Sequence, residues 1–171
     1  MDSNERREKI LLSLKNSSQL IKGTDLAKQY NVSRQIIVQD IAILRATGEN
    51  ILATPQGYLF PFPSASTIKK TIACRHKAQG IFDELAIMVD MGAKVLDVLV
   101  DHPVYGEIKA NLMIKTRKDL NDFVKSFKEL KAEPLASLTE GVHLHTIEVP
   151  DEETYKEIIE KLKEENYLVE E

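Results

Sequence analysis

Apolar positions recur with helical spacing three times in the first fifty residues. Between Arg6 and Lys15, Ile10, Leu11 and Leu14 form one stripe with charges opposite, and Ser17-Ser18-Gln19 breaks it. Thr24 is a good N-cap for a short helix over Asp25–Tyr30 that turns Leu26 and Ala27 inward. Asn31-Val32 makes a tight turn. Ser33 caps a third helix running to about Thr47, which Gly48 ends. Ile37, Ile41 and Leu44 stand at i, i+4 and i+7 as its buried stripe, while Arg34, Gln35, Val38 and Gln39 lie on other faces near its start. The period then changes: Ile51–Thr54 and Tyr58–Phe60 flank Pro55-Gln56-Gly57 and predict a β-hairpin, although the turn is not of the Asn-Gly type.

Two helices joined by a short turn, the second opening on polar residues, form a helix-turn-helix, and the hairpin makes it a winged one. Such a unit binds double-stranded operator DNA. Ser33 and the free amides beside it can take a phosphate oxygen. Arg34 can bond guanine bidentately and Gln35 adenine, with Gln39 one turn further on for a base or phosphate. The plainer reading of Arg34 is a solvated surface cation. Arg45 can contact DNA or neutralise the helix dipole, and Gln56 at the wing tip can enter the minor groove or meet a phosphate. Asp40 would repel phosphate and is read as structural. Val32-Ser33-Arg34-Gln35, Asp40-Ile41, Leu44-Arg45, Gly48, Ile51 and Gly57-Tyr58 together resemble the winged helix-turn-helix of bacterial repressors of the biotin-repressor and DeoR kind.

Pro61-Phe62-Pro63-Ser64-Ala65-Ser66 reads as a linker, which places a DNA-binding domain at 1–62 and a second domain at 67–171. The second pattern mixes periods: a strand over Thr67–His76, a helix over Gln79–Met91, strands over Lys94–Asp101 and Val104–Ile114, then a helix over Arg117–Lys131. That helix sets Leu120, Phe123, Val124, Phe127 and Leu130 inward. A strand over Val142–Val149, a helix over Glu152–Glu164 and a short strand at Tyr167-Leu168-Val169 complete it. The expected class is α+β: a winged helix followed by an α/β open-faced sandwich, HPr-like, an antiparallel sheet with helices on one face and the other free to bind.

The composition, 43% hydrophobic and 29% charged, is that of a globular protein. No apolar run approaches the ~20 residues of a membrane span, and the charged start lacks a signal-peptide core, so a cytoplasmic protein with no membrane partner is expected. The net charge of −4 argues against nucleic acid until it is divided. Residues 1–60 hold eight Lys and Arg against six Asp and Glu, whereas the remainder holds 15 against 21. Cys74 is the only cysteine, which excludes a disulfide within the chain and a cysteine-rich zinc site; ligands to any metal would be His and carboxylate.

Two of the four histidines, His143 and His145, stand two apart on one strand and therefore project from the same face. They can share a metal if a third ligand arrives, or simply belong to an exposed polar sheet face. His76-Lys77-Ala78, Asp101-His102-Pro103-Val104-Tyr105-Gly106-Glu107 and Glu140–Ile147 resemble the three-histidine (3H) domain. Behind a winged helix this is the architecture of niacin-responsive repressors of the NiaR/YrxA type. The resemblance implies nicotinic acid as corepressor at genes for NAD synthesis and niacin uptake, with the histidines holding a divalent metal. It implies His76, His143 and His145 as ligands and Glu84 as the fourth, with Asp83 as its neighbour and competitor. Such a set suits nickel or zinc, and also iron or manganese. His102 and Tyr105 are candidate effector contacts whose plainer roles are turn and core. A homodimer is expected, because specific operators are usually read by two-fold pairs. A metal sensor fits the same residues. A metalloenzyme is the remaining alternative, but no nucleophile motif, phosphate loop or paired acid and base accompanies the ligands, so no enzyme is expected.

Overall fold

The computed structural model describes residues 2–61 and 66–169. The chain divides into two compact units, Met1–Pro63 and Ser64–Glu171. The centre of the expected linker, residues 62–65, lies outside the described residues.

In the first unit α1 (Ser3–Lys15), α2 (Gly23–Tyr30) and α3 (Arg34–Ala46) precede β1 (Leu52–Thr54) and β2 (Gly57–Leu59). Asp2 caps α1 by accepting from the Glu5 amide at 2.8 Å, and Ser33 caps α3 by accepting from Ile36 N at 3.3 Å. Thr24 does not cap α2. That helix starts one residue before it, with Lys22 at the cap, because Ile21 is held in an extended bridge to Tyr58. The bridge adds a third extended segment to the wing and explains Gly57: its φ is +144°, and a Cβ there would sit 2.5 Å from the Ile21 carbonyl oxygen. Ile10, Leu14, Leu26, Ile37, Ile41, Leu44, Ile51 and Tyr58 form the core. Asp40 is buried and structural, as its charge suggested. Arg6 Nε donates to its Oδ2 at 2.6 Å and Arg7 stands at 3.4 Å from Oδ1, tying α3 to α1.

The second unit runs β3 (Ile68–Arg75), α4 (Ile81–Asp90), β4 (Lys94–His102), β5 (Gly106–Ile114), α5 (Arg117–Leu130), β6 (Val142–Val149) and α6 (Glu152–Glu164). The sheet order is β3-β6-β4-β5, antiparallel throughout, so the strand with the histidine pair is central. Leu85, Met88 and Val89 of α4, Leu120 of α5, and Ile158 and Leu162 of α6 share one core with Ile72, Val95, Ile114, Ile147 and Val149 of the strands. The α+β class is as expected.

Four local expectations change. A 3-10 turn, Ala78–Gly80, precedes α4, and another, Leu135–Thr139, fills a stretch too short to show a period. Leu130, expected inside, is exposed at the last position of α5. The terminal strand shrinks to one bridge, Cys74 to Leu168, supported by Arg75 N donating to Tyr167 O at 2.8 Å.

The largest correction concerns the faces of β6. His143 and His145 are buried with Ile147 and Val149 on the helix-covered side, while Val142 and Leu144 are exposed. The histidines do not line the open face of the sheet; they lie beneath α4.

Candidate functional site

Glu84 stands in the first turn of α4 and is 1% exposed. Asp83, its neighbour on the helix, points to solvent. A carboxylate near a helix N-terminus is favoured by the dipole, and this one is surrounded by imidazoles. Its Oε2 lies 2.6 Å from His76 Nε2, 3.3 Å from His143 Nε2 and 3.5 Å from His145 Nε2, with Oε1 3.2 Å from His143 Nε2. The His143 ring packs edge-on against both others, at 4.8 Å between centroids.

The opposite nitrogens are equally committed. Nδ1 of His76 faces Lys77 O at 2.6 Å, Nδ1 of His143 faces Gly141 O at 2.8 Å, and Nδ1 of His145 faces Asp97 O at 2.6 Å. A carbonyl oxygen only accepts, so each Nδ1 carries a proton and donates it. Each Nε2 is then a lone pair unless the ring is charged. Three lone pairs aimed at a carboxylate repel it and need positive charge among them, supplied either by protons or by a metal cation. Histidines fixed by Nδ1–H donation to carbonyls, with their Nε2 atoms facing one buried carboxylate, have the donor chemistry that a divalent transition metal takes.

Local backbone features aim these rings. On β4 the pairs Val95–Ile147 and Leu99–Leu144 leave one more residue on β4 than on β6. This is a bulge; it turns the Asp97 carbonyl to His145 and lets Asp97 Oδ1 accept from Thr146 N at 2.9 Å. At Gly141, φ is +90° and a Cβ would run into the His76 carbonyl oxygen. A Cβ at Gly80 would lie 2.9 Å from His76 Cγ, so two glycines make room for one histidine.

The charges are coupled. Burial acts to raise the Glu84 pKa, but hydrogen bonds from His143, His145 and His76 hold it well below the usual carboxylate range. Burial works to lower the His76 pKa, and Glu84 and the Lys77 carbonyl raise it above the ordinary imidazole value despite that.

Cys74, outside the expected His and carboxylate set, lies beside the same cluster. It is fully buried and pairs across the sheet with His143, and its sulfur, a Glu84 oxygen and a His143 nitrogen all lie within 4.8 Å of one another. Burial, and then the neighbouring Glu84 carboxylate, push its thiol pKa far up. A sequence signal existed: Cys74 is two residues before His76, a spacing that puts both on one face of the strand predicted over Thr67–His76, although the observed strand ends at Arg75.

Beside His76 opens a cavity of about 360 Å³. Lys77, Ile81, Pro134, Ala136 and Gly141 line it with His76. That volume is in the range of small-ligand sites. His102 and Tyr105, the expected effector contacts, are elsewhere. They form the β4–β5 turn, where His102 Nδ1 accepts from the amides of Val104 and Tyr105 at 3.2 and 3.3 Å, and Tyr105 is 76% exposed. Neither lines the cavity or bonds to the cluster.

In the first unit Ser33, Arg34, Gln35 and Gln39 are exposed at the start of α3. Arg45, eleven residues after Arg34, is exposed on nearly the same face about 16 Å along the axis. Gln56 lies in the turn between β1 and β2, at the wing tip as expected, but it is half-buried and its Nε2 is enclosed without a hydrogen-bond partner.

Two family models match the chain: one described as an HTH domain over residues 6–59 and one described as a 3H domain over residues 69–171. The probable transcription repressor NiaR of Thermotoga maritima is 43% identical over 167 residues, covering 98% of this chain and 95% of that protein. The transcription repressor NadR of Bacillus subtilis is 41% identical over 167 residues, covering 96% of this chain and 93% of that protein.

Proposed function

We propose, for a chain that belongs to the family of NiaR- and NadR-type transcription repressors, that it acts as a metal-dependent cytoplasmic repressor of NAD-synthesis and niacin-uptake genes, with nicotinic acid as corepressor. The observation that carries this reading is the convergence of three imidazole Nε2 atoms on Glu84, with one of the three rings, His76, also lining a cavity of about 360 Å³. His76, His143, His145 and Glu84 would hold the metal, nickel or zinc before iron or manganese, because imidazole-rich sets favour the later divalent ions. A divalent ion there would supply a Lewis-acidic position for the carboxylate or ring nitrogen of nicotinate.

His76 is shared between the cluster and the cavity, whose lining carries one cation, Lys77, to meet an anion and one carboxylate, Glu140, to oppose it. Ile81 and Pro134 provide apolar walls for a flat ring. An effector shifts the repressor only if it binds the DNA-competent arrangement more tightly. In a homodimer that arrangement is the spacing of two recognition helices over two half-sites. Calorimetric titration of nicotinate into the metal-loaded protein should give saturable binding that a chelator abolishes. Unchanged affinity after metal removal would reject direct ligation.

On the DNA side, Arg34→Ala should weaken operator binding by about 1–3 kcal/mol if Arg34 reads a base. An equal loss on random DNA would make it a phosphate contact instead. A second reading, in which the metal itself is the signal, is favoured by the burial of Glu84, His143 and His145 away from solvent. Full operator binding with metal and no nicotinate would select it.

A further inference from the structure

We infer that Cys74 is an additional ligand of the same centre, a thiolate that biases it toward softer divalent ions. The inference rests on the metal reading above and adds a residue to it.

Three observations place the sulfur there. Cys74 and His143 are direct cross-strand partners, and such pairs hold their Cβ atoms about 4.5–5.5 Å apart on one face. That face is the one α4 covers, where Cys74 is 0% exposed and Glu84 1%. The sulfur, a Glu84 oxygen and a His143 nitrogen share a space in which no pair is more than 4.8 Å apart. A small core residue would satisfy the packing equally well as alanine or valine, but neither could donate to a cation.

The chain between Tyr167 and Val169 closes over this corner. It bridges Cys74 through Leu168 and sets the Tyr167 ring edge-on to His76 at 5.6 Å. The thiol is fully shielded from solvent.

The chemistry balances simply. The S–H bond breaks, its proton leaves to solvent, and a sulfur–metal bond forms with a divalent transition ion; nothing is oxidised or reduced. Thiolate favours zinc, cobalt and nickel over manganese, so one sulfur among imidazoles sharpens a set that otherwise accepts harder ions.

Cobalt(II) titration of the full-length protein tests this. Thiolate ligation produces an intense near-ultraviolet charge-transfer band, and Cys74 is the only cysteine in the chain, so wild type alone can assign it. The expected result is that band together with visible d–d bands in wild type. In Cys74→Ser the d–d bands remain, the charge-transfer band disappears, and preference for zinc over manganese falls by roughly tenfold or more. Visible bands without a charge-transfer band in wild type would overturn the inference and leave the metal reading standing. No visible bands and no competition with a chromophoric chelator would overturn both.

Discussion

Glu84→Gln is expected to lower affinity for divalent metal by more than about 100-fold while leaving the fold intact. Partners that merely orient metal ligands cost 10–100-fold when removed, so a direct anionic ligand should exceed that. At about 1.4 kcal/mol per decade the loss is roughly 3 kcal/mol or more. Glutamine keeps the shape of Glu84, which is buried among three Nε2 atoms at 2.6–3.5 Å. Its amide can donate to imidazole lone pairs where the carboxylate cannot, so the metal-free variant should pack well. Competition with a chromophoric chelator measures the affinity, and far-ultraviolet circular dichroism checks the fold. An affinity within a few-fold of wild type would remove Glu84 from the centre. Under the proposed function, any operator binding that depends on nicotinate should disappear with the metal.

Thermal unfolding should respond to pH in opposite senses with and without metal. Without metal, His76 has a raised pKa, so its ion pair with Glu84 contributes fully below the unfolded value of about 6.5 and fades as pH rises through the raised one. Glu84 has a depressed pKa, so its contribution is present above about pH 4.3 and is lost as pH falls through its folded value. The metal-free protein should therefore be most stable in mild acid and lose stability from there toward pH 8. Loaded with metal the slope reverses, because protons compete with the ion for Nε2. A thousandfold excess of zinc or nickel over its dissociation constant stabilises by about 4 kcal/mol. For a unit near one hundred residues that is roughly 15–30 °C in Tm. The gain should be largest at pH 8 and small at pH 5. Parallel pH profiles with and without metal would refute the site.

Much of the second unit's layout follows from local rules. The Glu152–Glu164 helix coincides with its sequence-based bounds, because Asp151 caps it by accepting from Thr154 N at 2.7 Å and its apolar spacing is regular. Ser33 at the start of α3 is readable for the same reason. Thr24 has the local preference of a cap but does not cap α2, which starts at Gly23 directly after the tertiary bridge at Ile21.

The sequence by itself determined the element order, the α+β class and the shared face of His143 and His145, since these depend on periods of 2 and 3.6 and on caps within a few residues. Only the tertiary structure decided which face that was. Alternation is symmetric: it marks two sides of a strand without saying which one a helix will cover. Here α4 covers the histidines and leaves Val142 and Leu144 to solvent, against the usual ordering of polar and apolar. The burial is tolerable because Glu84 arrives from the helix and three carbonyls accept hydrogen bonds from the Nδ1–H groups. One of those carbonyls is aimed by a bulge between Val95 and Leu99 that no local pattern announces. Cys74 joined the cluster on the same grounds, through strand pairing with residues about seventy positions away.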